Sequence, residues 1–226
     1  VSELPGAVLG ISTADDVTVG LVRPGQPDAT LHGGGPRAHL ESLAPLVAGL
    51  LAQAGLEGSD LVGIGVGRGP AAYTGLRIGL ATARALGLAW GIPVWGISDL
   101  DVLAVQSQAN LQLGAGQTIL ATLDAKRKEV YWSLYRASDH GVELLQGPAV
   151  SKPGDAASAK TVAGPGAMLY PDQLALSPGA PTTIDAAVLA RQAARLAAAG
   201  AATSLEPLYL RRPHVQGPAP SKSVLP

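Results

Sequence analysis

Residues 61–97 read LVGIGVGRGPAAYTGLRIGLATARALGLAWGIPVWGI. The run 61–66 looks like a strand buried on both faces, 71–90 is helical, and 93–97 closes as another strand. Toward the N-terminus, 7–11 and 17–22 are apolar runs on either side of the turn signal Asp15-Asp16, the pattern of a β-hairpin. Residues 29–32 read as a third strand after Pro24-Gly25-Gln26-Pro27. The period changes past Pro36. Leu40, Leu43, Val47 and Leu50 recur at three- and four-residue spacing, with Leu46 and Leu51 widening the stripe, so an amphipathic helix is expected that ends near Gly55. The order β-β-β-α-β-α-β predicts a mixed five-stranded sheet covered by helices.

Toward the C-terminus the theme repeats in reduced form. Residues 119–124 and 130–135 read as paired strands around the charged turn Lys126-Arg127-Lys128-Glu129, 142–145 as a third strand and 162–164 as a short one. Helix potential is weak across 147–160, rich in Pro, Gly, Ser and Ala, whereas 186–199 is a strong Ala-rich helix ended by Gly200. The expected organisation is a first lobe over 1–104 and a second, reduced lobe over 105–212, whose helix 186–199 is a candidate to pack back on the first. A disordered tail is expected over 213–226.

Composition narrows the function. With 226 residues, 47% hydrophobic and 15% charged, the chain can bury a large core and is no disordered segment. Its 16 basic and 17 acidic residues leave no excess positive charge to hold a nucleic acid unaided. Zero cysteines exclude disulfide scaffolds, thiol nucleophiles and Cys-ligated metals. Arg84, Gly91 and Pro93 interrupt the apolar region 78–97, so no membrane span is expected, and residues 1–11 have no basic segment of a signal peptide. A cytoplasmic location is expected. The charged fraction is low against roughly 25% in ordinary globular domains.

The loop-helix 67–79, GRGPAAYTGLRIG, leads from a strand end into a helix, where backbone N–H groups can hold an anion. It lacks the Lys-Ser/Thr of a Walker A loop after Gly75, and Ala72 stands where G-x-G-x-x-G needs its third glycine, so a tight strand-to-helix turn is the better reading. Gly75, Gly79, Ala83 and Gly87 lie four apart, a small-residue stripe that admits a second backbone, either the chain's own sheet or a partner helix. No two of His32, His39, His140 and His214 share i, i+4 spacing, so no metal site is expected. Asp99 and Asp101 follow a strand, where α/β folds place their chemistry, without a nucleophile–base set around them. The cluster Lys126-Arg127-Lys128 can touch phosphate or form a solvated turn.

Four segments carry a family resemblance: 37–51 (RAHLESLAPLVAGLL), 67–104 (GRGPAAYTGLRIGLATARALGLAWGIPVWGISDLDVLA), 119–135 (ILATLDAKRKEVYWSLY) and 206–213 (EPLYLRRP). Together they resemble the TsaB (YeaZ) family of bacterial tRNA threonylcarbamoyladenosine biosynthesis proteins. The most specific piece is Y-T-G-L-R-I-G at 73–79, followed by D-A-x-x-x-E-V-Y-W at 124–132. The chain departs from the family at Ile11-Ser12-Thr13-Ala14, where I-D-T-S is usual, and at Arg68 and Pro70-Ala71-Ala72, where G-P-G-S-F is usual.

The resemblance implies an α/β actin/Hsp70-like (ribonuclease H-like) fold of two related lobes and a non-catalytic role without a cofactor. The similar protein TsaD, which transfers threonylcarbamoyl to the tRNA adenosine beside the anticodon, carries an H-x-x-x-H metal pair at the positions of Asp99 and Leu103. Leucine cannot ligate a metal. The nucleotide site looks lost as well, with Ser12 at the first-lobe acid and only Gly164-Pro165-Gly166 in the second lobe. The implied role is a scaffold that heterodimerises with a TsaD-type catalytic subunit, supports recruitment of the ATPase TsaE, meets tRNA only within the complex, and can homodimerise in isolation. The contact maps to Leu40, Leu43, Val47 and Leu50 of one helix and Tyr73, Gly75, Leu76, Gly79, Leu80 and Ala83 of the next. On this reading Gly79→Leu should abolish partner binding while leaving the monomer folded. The alternatives are an ATP-dependent phosphotransferase or ATPase of the same fold and, with less support, a metal-dependent glycoprotease.

Overall fold

The structure, a computed structural model, describes residues 6–33 and 39–211, and side chains over 6–33 and 41–211. The tail expected over 213–226 lies outside the described residues. Strands β1 (Ala7–Ser12), β2 (Thr18–Val22) and β3 (Ala29–His32) form the antiparallel meander, followed by α1 (His39–Ala54), β4 (Leu61–Gly67), α2 (Tyr73–Trp90) and β5 (Val94–Ile97). The sheet order is β3-β2-β1-β4-β5, with β4 parallel to both β1 and β5. It is therefore the mixed five-stranded sheet expected from the element order.

The second sheet, ordered β8-β7-β6-β9, is built from β6 (Thr118–Asp124), β7 (Val130–Ser138), β8 (Gly141–Ser151) and β9 (Thr161–Ala163). Three helices complete the chain: α3 (Asp99–Asn110), α4 (Pro165–Leu169) and α5 (Ala186–Ala198). Two differences from the sequence reading stand out. Helix α3 fills a segment to which no element was assigned, and β8 extends well past 142–145. Among the described residues no helix is long and apolar enough to cross a membrane.

Period-2 alternation sorts the first sheet into two faces. Leu9, Ile11, Val19, Leu21, Ile64 and Val66 pack under α1 and α2 in one core. Val8 and Val22 face the other way, into a second core shared with α3, α5 and the inner face of the second sheet. A third cluster, containing Leu120, Trp132 and Leu174, fills the outer face of the second sheet.

Helix α5 lies on the first sheet, although some 90 residues of chain separate it from β5. The reason is a lane of glycines. Gly20, Gly10 and Gly65 stand in register across β2, β1 and β4. A Cβ on Gly10 or Gly20 would collide with the α5 backbone at Ala186 and Ala187, and one on Gly65 with Ala193 and Leu189. Helix and sheet thus meet backbone to backbone. Asp185 caps the helix by accepting the Ala187 N–H at 2.9 Å, worth about 1 kcal/mol. The same carboxylate accepts the Thr30 hydroxyl of β3 at 2.6 Å, and Arg191 pairs with Asp28.

After α5 the chain runs as an extended strap along the edge of β5. Trp95 Nε1 donates to the Ala201 carbonyl at 3.0 Å and the Gly96 N–H to Thr203 Oγ1 at 2.8 Å, which satisfies groups that an edge strand would otherwise leave free. The strap then crosses to the second lobe, where Arg211 donates to the Ala125 carbonyl at 2.9 Å.

Candidate functional site

Helices α1 and α2 lie side by side on the first sheet, and their periodicity decides which residues face inward. Leu43, Val47, Leu50, Leu76, Leu80 and Ala83 are all buried in the core beneath them. Within the chain these side chains complete its own lobe, and Val47 also reaches the surface between the helices. The Leu40 side chain lies outside the described residues.

The small-residue stripe has the same destination. Thr13 Oγ1 donates to the Gly75 carbonyl at 2.9 Å, a Cβ on Gly79 would press against the Thr13 side chain, and one on Gly87 against Val94. The stripe is close packing on the first lobe, and Gly79→Leu cannot leave the monomer undisturbed. Among the described side chains, Tyr73, half exposed, is the one expected contact residue with a large side chain outward.

What the two helices do present is their outer face. Ala44, Ala48 and Ala52 of α1 are exposed opposite Thr82, Leu86 and Trp90 of α2, over a floor of Val47, Leu51 and Leu56. Together they line an apolar groove of about 340 Å³. Outside the groove, Ala81, Ala85 and Leu88 of α2 are also exposed, the last 86%. Charge is scarce here: Glu41 is the single acid or base of α1 apart from His39, and α2 carries only Arg77 and Arg84. At the start of α2, Tyr73 stacks on Tyr209 of the strap at 4.9 Å, with the Arg77 guanidinium 3.7 Å from the Tyr73 ring centre and its Nε donating to the Tyr209 hydroxyl at 2.7 Å. The sequence pattern locates the two helices, and a small-residue stripe does not by itself say which backbone fills it.

The glycine loop holds an acidic group, though an internal one. Asp99, fully buried at the start of α3, accepts the Ser12 hydroxyl at 2.6 Å and the Gly69 N–H at 2.7 Å. Gly67 lies against the same carboxylate, leaving no room for a Cβ. Burial pushes the Asp99 carboxyl up to about 7, against the lowering effect of its two donors. Asp101 is raised too, by burial, while the Tyr135 hydroxyl donates to it at 2.6 Å. Leu103, the second position matched to the metal pair, is a core residue. Gly164 and Gly166 are packed onto the β6 backbone at Thr122 and Leu123 rather than lining an open cradle. Among the described residues no group of three or more His, Cys, Asp or Glu could hold a metal ion.

Comparison with known proteins gives a consistent picture. Residues 34–213 match the family model described as TsaD, tRNA N6-adenosine threonylcarbamoyltransferase. An uncharacterised Mycobacterium tuberculosis protein is 39% identical over 211 residues, covering 91% of this chain and 92% of its own length. The Escherichia coli tRNA threonylcarbamoyladenosine biosynthesis protein TsaB is 34% identical over 107 residues, 47% of this chain and 45% of that protein. Among solved structures, YeaZ from Pseudomonas aeruginosa superposes with a TM-score of 0.77 at 29% identity, over 91% of this chain and all of that one.

Proposed function

Because the chain belongs to the TsaD family, in its TsaB (YeaZ) branch, with an actin/Hsp70-like fold, we propose that it serves tRNA threonylcarbamoyladenosine biosynthesis as a non-catalytic subunit. It binds a TsaD-type catalytic subunit through the outer face of α1 and α2, and the pair supports recruitment of a TsaE-type ATPase. tRNA is engaged by the assembly rather than by this chain alone. The observation that carries the reading is the apolar, uncharged groove between the two helices, a concave surface that an apolar side chain of a partner can fill. The Asp99 cluster supports the non-catalytic part, since its carboxylate is fully engaged by the chain's own Ser12 and Gly69.

Ala48→Arg tests this directly. Ala48 is exposed at the groove, and arginine is a good helix former, so the monomer should stay folded. A charge buried unpaired at the contact should weaken binding of the catalytic subunit at least tenfold, about 1.4 kcal/mol. Undiminished co-purification would remove the groove from the interface. The same variant should dissociate any homodimer that forms through this face in isolation. Calorimetry of the isolated chain with Mg-ATP addresses the phosphotransferase alternative, which micromolar binding would favour.

A further inference from the structure

We infer that the turn joining β6 to β7 is a contact for the phosphate backbone of the tRNA, an inference that rests on the functional reading above. At its tip, Lys126, Arg127 and Lys128 have φ of 59°, 57° and 62°, three consecutive left-handed residues without a glycine. Side chains with a Cβ enter this region only at a cost, and chain reversal alone is served by Gly, Asn or Asp. The turn is held in place by Asp124, which accepts the Lys126 N–H at 2.7 Å and its Nζ, and by backbone bonds from Ala125 N–H to the Glu129 carbonyl (3.0 Å) and from Glu129 N–H to the Lys126 carbonyl (3.1 Å).

All three cations are exposed, and the acids beside them are already engaged. Asp124, reinforced by Asp15, offsets Lys126, and Glu129 pairs with Arg211. Arg127 and Lys128 have no hydrogen bond or ion pair among the described residues. Their excess charge is felt locally: Arg211 lies below the ordinary arginine range, first through burial and then through the nearby Arg127 charge. In a chain whose formal net charge is −1, two exposed cations without a partner among the described residues sit on one turn of restrained backbone. Exposed cations on a restrained turn suit phosphate, contacts to which position a nucleic acid without reading its sequence.

The experiment measures tRNA affinity of the assembly with the TsaD-type subunit across a KCl series. Arg127→Ala/Lys128→Ala should weaken binding several-fold and reduce the slope of log affinity against log salt by about 2, one for each lost phosphate contact. Co-purification of the partner should be unchanged, and Arg127→Lys/Lys128→Arg should retain the wild-type slope. An unchanged slope in a normally assembled complex overturns the inference. So does intact tRNA binding with loss of the ATPase subunit, which would assign the turn to an acidic protein surface. Failure of the wild-type chain to capture its partner would instead overturn the functional reading, and this inference with it.

Discussion

Asp99 joins the end of β1, the glycine loop and the start of α3 through one carboxylate, and its titration is coupled to folding. In the unfolded chain this group titrates near 3.8, in the folded chain at about 7. Between these values the folded state holds a proton that the unfolded state has released, so stability falls as pH rises through the window and is level above it. Asp99→Asn is isosteric, and the Ser12 hydroxyl can turn to accept from the new amide while the Gly69 N–H keeps its acceptor. Urea unfolding at about pH 5 and about pH 8 should show the variant gaining on wild type as pH rises; parallel pH profiles would contradict the assignment. From sequence, Asp99 stood out by its place after a strand and by its match to the first position of the TsaD metal pair. Its partners lie 87 and 30 residues away, beyond any local pattern.

Helices α1, α2 and α5 were legible because each buries one face and exposes another, which writes a 3.6-residue period into the sequence. Helix α3 was not. Leu100, Val102, Leu103, Ala104, Gln106 and Ser107 are all buried, since α3 packs against the second sheet on one side and α5 on the other, and no clean polar face remains. The strand β8 was underread because its middle residues are exposed on an edge, with register shifts opposite Trp132 and Leu134. Helix α2 shows the other limit: its glycines were visible, their neighbours were not. Gly79→Leu should lower unfolding stability by about 3 kcal/mol through overpacking against Thr13, readable in a urea titration of the isolated chain. A variant of wild-type stability that fails to bind the catalytic subunit would return the stripe to the interface.

At the scale of the molecule, the low charged fraction now has a location. Part of it resides in α1 and α2, whose inner faces complete a core and whose outer faces line the groove. The two-sheet architecture followed from the repeated strand order, but the seat of α5 did not, because nothing in a helix names the sheet it will cover. The glycine lane settles that seat and predicts that the first sheet cannot stand without residues from the far end of the chain. A fragment of residues 1–183 should therefore lack the cooperative unfolding transition of the whole chain, by circular dichroism in urea; a cooperative fragment would mean that α5 is dispensable. The lane also sets a timetable. On the ribosome, roughly 100 residues are added between β5 and the end of α5, about 5–20 s at ordinary elongation rates, during which the flat inner face of the first sheet is uncovered. The nascent chain is thus at its most vulnerable between the synthesis of β5 and that of α5, the helix that protects it.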